Sequence, residues 1–149
     1  MSTAEVLRRL RLFLLALAVL LFSGTLLELY LVNHTEDAIQ WIAFGLAGAG
    51  LLVTLVVLFR RGPATVMLLR WCMMIVIAGS LFGIYQHVSN NVAFEQEIMP
   101  SASWRHLFWR GLSGANPLLA PGTLAIAGLI SLAATYKFGI TGDQAGESV

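Results

Sequence analysis

Every imidazole in the chain, at His34, His87 and His106, lies in a connector or near a helix end, close in sequence to the acids Glu36, Asp37, Glu95 and Glu97. Imidazole nitrogen and carboxylate oxygen together form a donor set suited to zinc, iron, manganese or copper. His87, Asn91 and Glu95 fall at i, i+4 and i+8, so one face of a helix can present all three. His34 and Glu36 would approach them from the connector HTEDAIQW, residues 34–41. Glu97 and His106 complete the candidate set for a divalent metal or small ligand. The spacing carries no HExxH, and Cys72 stands alone without a CxxC partner, so no established metal signature is present. Two histidines on different helices are also the ligand type of haem, but haem sites of that kind lie inside a bundle, and no histidine here is mid-span. A structural reading competes with these. Asn33 or Thr35 can cap a following helix while Glu36 and Asp37 oppose its dipole in the first turn.

These residues sit in a chain whose composition names its solvent. Of 149 residues, 58% are hydrophobic and 11% charged, with a mean hydropathy of +0.79. A water-facing domain carries about a quarter charged residues, so lipid is the expected medium. The net charge of +1 removes any electrostatic case for nucleic acid. Walker-type, Rossmann-type and GxSxG patterns are absent, and no Ser-His-Asp arrangement is legible. The expected class is therefore not an enzyme.

Four stretches reach the length of roughly 20 apolar residues that a membrane crossing needs. They run at about 12–32, 38–59, 64–86 and 118–136. The first follows Arg8, Arg9 and Arg11 as a signal peptide would, yet no small-x-small site follows it, so it reads as a retained helix. Gly62 and Pro63 stop the second span and restart the third. Basic residues set the direction. Arg8, Arg9, Arg11, Arg60, Arg61, Arg70 and Lys137 fall on one side, and only Arg105 and Arg110 on the other, which puts both termini in the cytoplasm. Tyr30, Trp41, Trp71, Tyr85 and Tyr136 lie near span ends, as an aromatic belt requires. Arg70 fits least well, two turns inside the third span, where its stem must snorkel or the span must start near Trp71.

All the histidines and most of the acids then gather outside one face. Glu28, the only acid within a span, is a functional candidate by default, with Arg105 or Arg110 as a partner. Thr25, Thr54 and Ser80 are the polar residues deeper in the spans, and each can bond its own helix backbone, so no transport path is visible. Small residues mark close helix contacts: Gly79 and Gly83 on the third span, Gly45 and Ala49 on the second, Ala127 and Ser131 on the fourth. They pack the bundle or dock another protein's helix.

The third helix can continue into NNVAFEQEI and must stop before Pro100. Within the outer segment 88–117, Ser101 or Ser103 can cap SASWRHLFWRGL. There Trp104, Leu107, Phe108 and Leu112 repeat at helical spacing, and Trp109 adds a second tryptophan. This is an amphipathic helix suited to a membrane surface. Pro121 falls in the first turn of the fourth span, where it is tolerated. The polar tail 139–149 reads as flexible.

NHTEDAIQW after the first span, NNVAFEQE after the third and SGANPLLAPGTL entering the fourth together resemble small four-span bacterial membrane proteins of no assigned activity. The resemblance covers most of the chain. It implies the fold and that the outer polar residues belong together, and it implies no activity. The expectation is an all-α, integral four-helix bundle of the bacterial inner membrane with an interfacial helix in its outer loop. Its expected role is a non-catalytic accessory or scaffold subunit that contacts lipid and another membrane protein or itself. A metal- or ligand-binding protein using the His/Glu cluster is the alternative.

Overall fold

The computed structural model describes residues 2–116, 118–136 and 138. The described residues form five helices and no strand: α1 (Thr3–Leu31), α2 (Gln40–Phe59), α3 (Pro63–Ile98), α4 (Trp104–Leu112) and α5 (Leu119–Ala134). Helices α1, α2 and α3 are each long and apolar enough to cross a membrane, whereas α5, at 16 residues, is shorter. Less than a third of each long apolar stretch is buried within the protein, 28%, 22% and 22% in chain order, so most of the apolar surface faces outward. In water that exposure would be untenable; in hydrocarbon it is the expected arrangement.

Local chemistry explains the ends. Asn33, at φ 51°, is the one described non-glycine residue with positive φ. It occupies the left-handed position after α1 that asparagine tolerates better than most residues. The His34 amide then donates to Leu29 O (3.0 Å) and the Asn33 amide to Tyr30 O (3.2 Å), the double closure of a Schellman motif. Asn33 therefore ends α1 and does not cap α2. Nor does Thr35: α2 begins at Gln40, the apolar side chain of its N-cap Ile39 makes no capping hydrogen bond, and the Gln40 side chain reaches back to accept from the amides of Glu36 (2.8 Å) and Asp37 (3.5 Å). Glu36 and Asp37 thus precede the helix and are not in its first turn. At the other hinge, Pro63 opens α3, and Thr65 Oγ1 accepts from the Gly62 amide (3.0 Å) and donates to Arg60 O (2.8 Å). Met99 closes α3 just before Pro100, as the proline demands.

α1 and α3 each pack against both α2 and α5, and α2 meets α5 only slightly across the diagonal, giving a four-cornered bundle. Phe22, Leu69, Met73 and Val76 are fully buried along its axis. Small residues set the spacing. A Cβ added at Gly50 would lie 2.5 Å from the Phe22 ring, at Gly79 2.5 Å from Leu46 Cδ1, and at Gly128 2.8 Å from Ile77 Cγ1. Thr25, Thr54, Ser80 and Ser131 donate to the carbonyls of Leu21, Gly50, Val76 and Ala127, each four residues back, so these hydroxyls enter the core satisfied.

The helices are unequal in length. α3 has 36 residues, about 54 Å, while α2 has 20, about 30 Å. Leu46 faces Gly79, so the first turn of α2 is level with Tyr85, and the stretch from Gln86 to Ile98 rises about 20 Å beyond it. The third helix is therefore not confined to 64–86. α4 packs on this protruding part. α1 also starts earlier than expected, so Arg8, Arg9 and Arg11 are helical. The expected flexibility of 139–149 and the placement of Lys137 lie outside the described residues.

At the opposite end, α5 stops level with Arg70. The Arg70 guanidinium donates through Nη2 to Thr135 O (2.6 Å) and through Nε to Thr135 Oγ1 (3.2 Å). Buried Arg11, from α1, donates to Tyr136 O (3.1 Å) and lies over the Phe138 ring. Two cations thus bind carbonyls at the C-terminal end of α5, where the helix dipole is negative. This is what the misfit at Arg70 meant: its charge is directed at a helix terminus.

Candidate functional site: the histidine end of the bundle

The long α3 collects the polar groups that the sequence singles out. One face of its protruding part carries His87, Asn91 and Glu95, as the i, i+4, i+8 spacing requires. His87 meets the first connector, Asn91 meets α4 and the loop beyond it, and Glu95 meets α4. The His87 ring stacks on His34 from the α1–α2 connector, with centroids 6.2 Å apart and planes 23° from parallel. The first connector and the outer part of α3 therefore share one end of the bundle.

Asn91, 1% exposed, is the hub of the end. Its Nδ2 donates to Gly111 O (2.9 Å) and Asn116 O (3.0 Å), and its Oδ1 accepts from the Asn116 amide (2.8 Å) and Asn116 Nδ2 (3.1 Å). The carboxamide thus holds the last turn of α4 and the loop that enters α5. One turn further, the half-exposed Arg110 guanidinium lies 3.4 Å from the largely buried Glu95 carboxylate. Gly111 allows the contact to close: a Cβ there would lie 2.5 Å from Val92 Cγ2.

Of the two serines that could cap α4, Ser103 and not Ser101 is the N-cap, and it accepts from the His106 amide (3.4 Å). Of the apolar stripe Trp104, Leu107, Phe108 and Leu112, only Leu107 is buried. Leu107 and Gly111 face α3, whereas Trp104 (69% exposed), Trp109 (62%) and Phe108 (39%) face outward with Leu112. The close approach of α4 to α3 uses a leucine and a glycine, and the larger stripe residues stay on the outside. Ser103, Arg105, His106, Trp109 and Arg110 line a shallow open recess of about 350 Å³ on this helix.

The remaining candidates stay apart. Glu36 and Glu97 are exposed, and His106 points away with α4. Glu28 is half-buried and makes no ion pair with a described residue; Arg110, its suggested partner, pairs with Glu95. Among the described residues, no three His, Cys, Asp or Glu side chains come close enough to hold a metal ion. His34 and His87 supply two imidazoles, fewer than the three or four protein ligands of ordinary zinc sites. Of the small-residue pairs, Gly79 and Gly83 are spent inside the bundle, Gly83 against Pro121 Cβ (3.3 Å from an added Cβ). Gly45 has open space beside it, and Ala49 is exposed on the same face of α2.

Sequence reasoning placed Asn91 on the right face but assigned it to a ligand; Asn116 it passed over. The signal available was the depth of Asn91 in a helix face otherwise lined by Val88, Val92 and Glu95, a polar group that burial obliges to find partners. No protein-family model, curated protein or solved structure matches this chain.

Proposed function

We propose that this chain is a small multi-pass protein of the bacterial inner membrane that serves as a non-catalytic accessory or scaffold subunit of a larger membrane assembly. α5 makes the fourth crossing. It spans about 24 Å, and the two arginines at its end close the gap to the hydrocarbon thickness by snorkelling and local thinning. The seven-to-two distribution of basic residues puts both termini in the cytoplasm and the histidine end outside.

The observation that carries the functional reading is the use made of polar groups. Arg11, Thr25, Thr54, Ser80, Asn91, Glu95, Ser131 and Thr135, the buried polar residues among those described, all bond or pair with parts of the bundle itself. A catalytic or transport site would instead hold such groups towards a cleft. The Gly45 and Ala49 face of α2 is left open, and it admits a close helix contact with another membrane protein or a second copy.

Photocrosslinking in cells tests this. A crosslinker at position 45 or 49 should give one discrete adduct, and one at position 83, which faces Pro121, should give none. A full-length chain that yields no adduct from 45 or 49 and purifies as a lone monomer in mild detergent would remove the accessory reading.

A further inference from the structure

The geometry points to α4 as a binding element for the phosphate of an anionic phospholipid, with Arg105 and Arg110 as its cationic contacts and Trp104 and Trp109 as its anchors. The inference rests on the chain lying in a bilayer, and is independent of whether the protein has a protein partner.

Depth is the first observation. α4 touches α3 at Val88, Val92 and Glu95, within the first three turns beyond the level where α2 ends. If the apolar length of α2 matches the hydrocarbon, these contacts lie about 5–15 Å above it, from the headgroup layer to just beyond it. Charge is the second. Arg105 and Arg110 are the two cations on the side that otherwise lacks them, and both line the recess with His106, Ser103 and Trp109. The nearby carboxylate, Glu95, is largely buried behind Arg110 and engages one edge of it. Arg105 has no hydrogen bond or ion pair with a described residue and is exposed, so its planar fork is free for the bidentate contact that phosphate oxygens offer.

The tryptophans decide between sources of phosphate. A site for free phosphate has no use for exposed indoles. Trp104 and Trp109 are over 60% exposed beside the arginines, and indole partitions to the glycerol level of a bilayer while its N–H stays wet. Phospholipid supplies both the anion and that boundary. The recess is open and lies on one helix, which suits a headgroup sliding in from the side.

The test uses the full-length chain in detergent, titrated with phosphatidylglycerol or with phosphatidylcholine and read by native mass spectrometry. Phosphatidylglycerol should be retained preferentially. Arg105→Gln should weaken its retention about fivefold, the effect of one cation at an anionic surface, with an unchanged unfolding temperature. Arg9→Gln, at the other end of the bundle, should leave it unchanged. A second arm places Trp41→Phe/Trp71→Phe protein in vesicles of equal parts phosphatidylglycerol and phosphatidylcholine, where lipids brominated near the glycerol should quench Trp104 and Trp109. Equal retention of the two lipids, no effect of Arg105→Gln, or unquenched tryptophans would overturn the inference. Displacement of phosphatidylglycerol by inorganic phosphate at equal concentration would overturn it in favour of a free anion. Flotation of the protein with vesicles after an alkaline wash reports membrane insertion separately.

Discussion

Replacing Asn91 by leucine removes the side chain that ties α3 to α4 and to the loop entering α5, while keeping the branching and the number of heavy atoms. Four hydrogen bonds disappear. Three of them involve Asn116, which is exposed and can turn to water, so each is worth about 0.5 kcal/mol. The fourth leaves Gly111 O, a last-turn carbonyl without a helical partner, buried and unsatisfied at about 1.5 kcal/mol. The leucine recovers about 1 kcal/mol by burial. The net is about 2 kcal/mol, or roughly a thirtyfold rise in the population of the opened α4 and loop. Hydrogen exchange of the full chain in micelles should show amides of residues 107–116 exchanging about thirtyfold faster, with α2 and the first half of α3 unchanged. Asn91→Asp keeps the acceptor for Asn116 but sets a buried carboxylate oxygen against the carbonyls of Gly111 and Asn116, and should open the region at least as far as leucine does. Exchange at 107–116 that changes less than about threefold in the leucine variant would refute the assignment of Asn91 as the hub.

Arg70→Met should lower stability by about 2 kcal/mol, because two bonds from a cation to the α5 terminus are lost, and Arg70→Lys, which lacks the planar fork, by about half of that; an Arg70→Met protein that unfolds at the same temperature as the unsubstituted chain would sink this account. Gly128→Leu forces α5 away from Ile77 and Met73 O and should destabilise by about 3 kcal/mol, while Gly45→Leu, with open space beside it, should change stability by less than about 0.5 kcal/mol in the isolated protein. Denaturant titration in one detergent compares the pair. Elemental analysis of purified protein should find no stoichiometric transition metal; a metal present at one per chain and lost in His34→Ala would reinstate the metal reading of the histidine end.

The apolar character, the helical class and the chain's turning points were written in the sequence. Apolar runs of membrane length, the Gly62-Pro63 break, the stop before Pro100 and a serine cap at 101 or 103 are local properties, set by transfer energy and backbone sterics within a few residues. So are the back-bonds of Thr25, Thr54 and Ser80, which reach only one turn along their own helix. The gathering of the histidines at one end also followed, since alternating helices must return each second connector to the same side. The partners did not follow. Asn33 was legible as a cap but not as the end of α1, because the same residue type serves both ends of a helix and the choice lies in its φ. Whether Asn91 and Glu95 meet a metal or α4, whether Gly45 or Gly79 faces a neighbour, and why Arg70 stands inside an apolar run all depend on the rotation and relative height of helices. Those are fixed by packing between residues far apart in the chain, where a glycine opposite Leu46 or a terminus level with Arg70 decides the outcome. Composition and periodicity carry no record of that register.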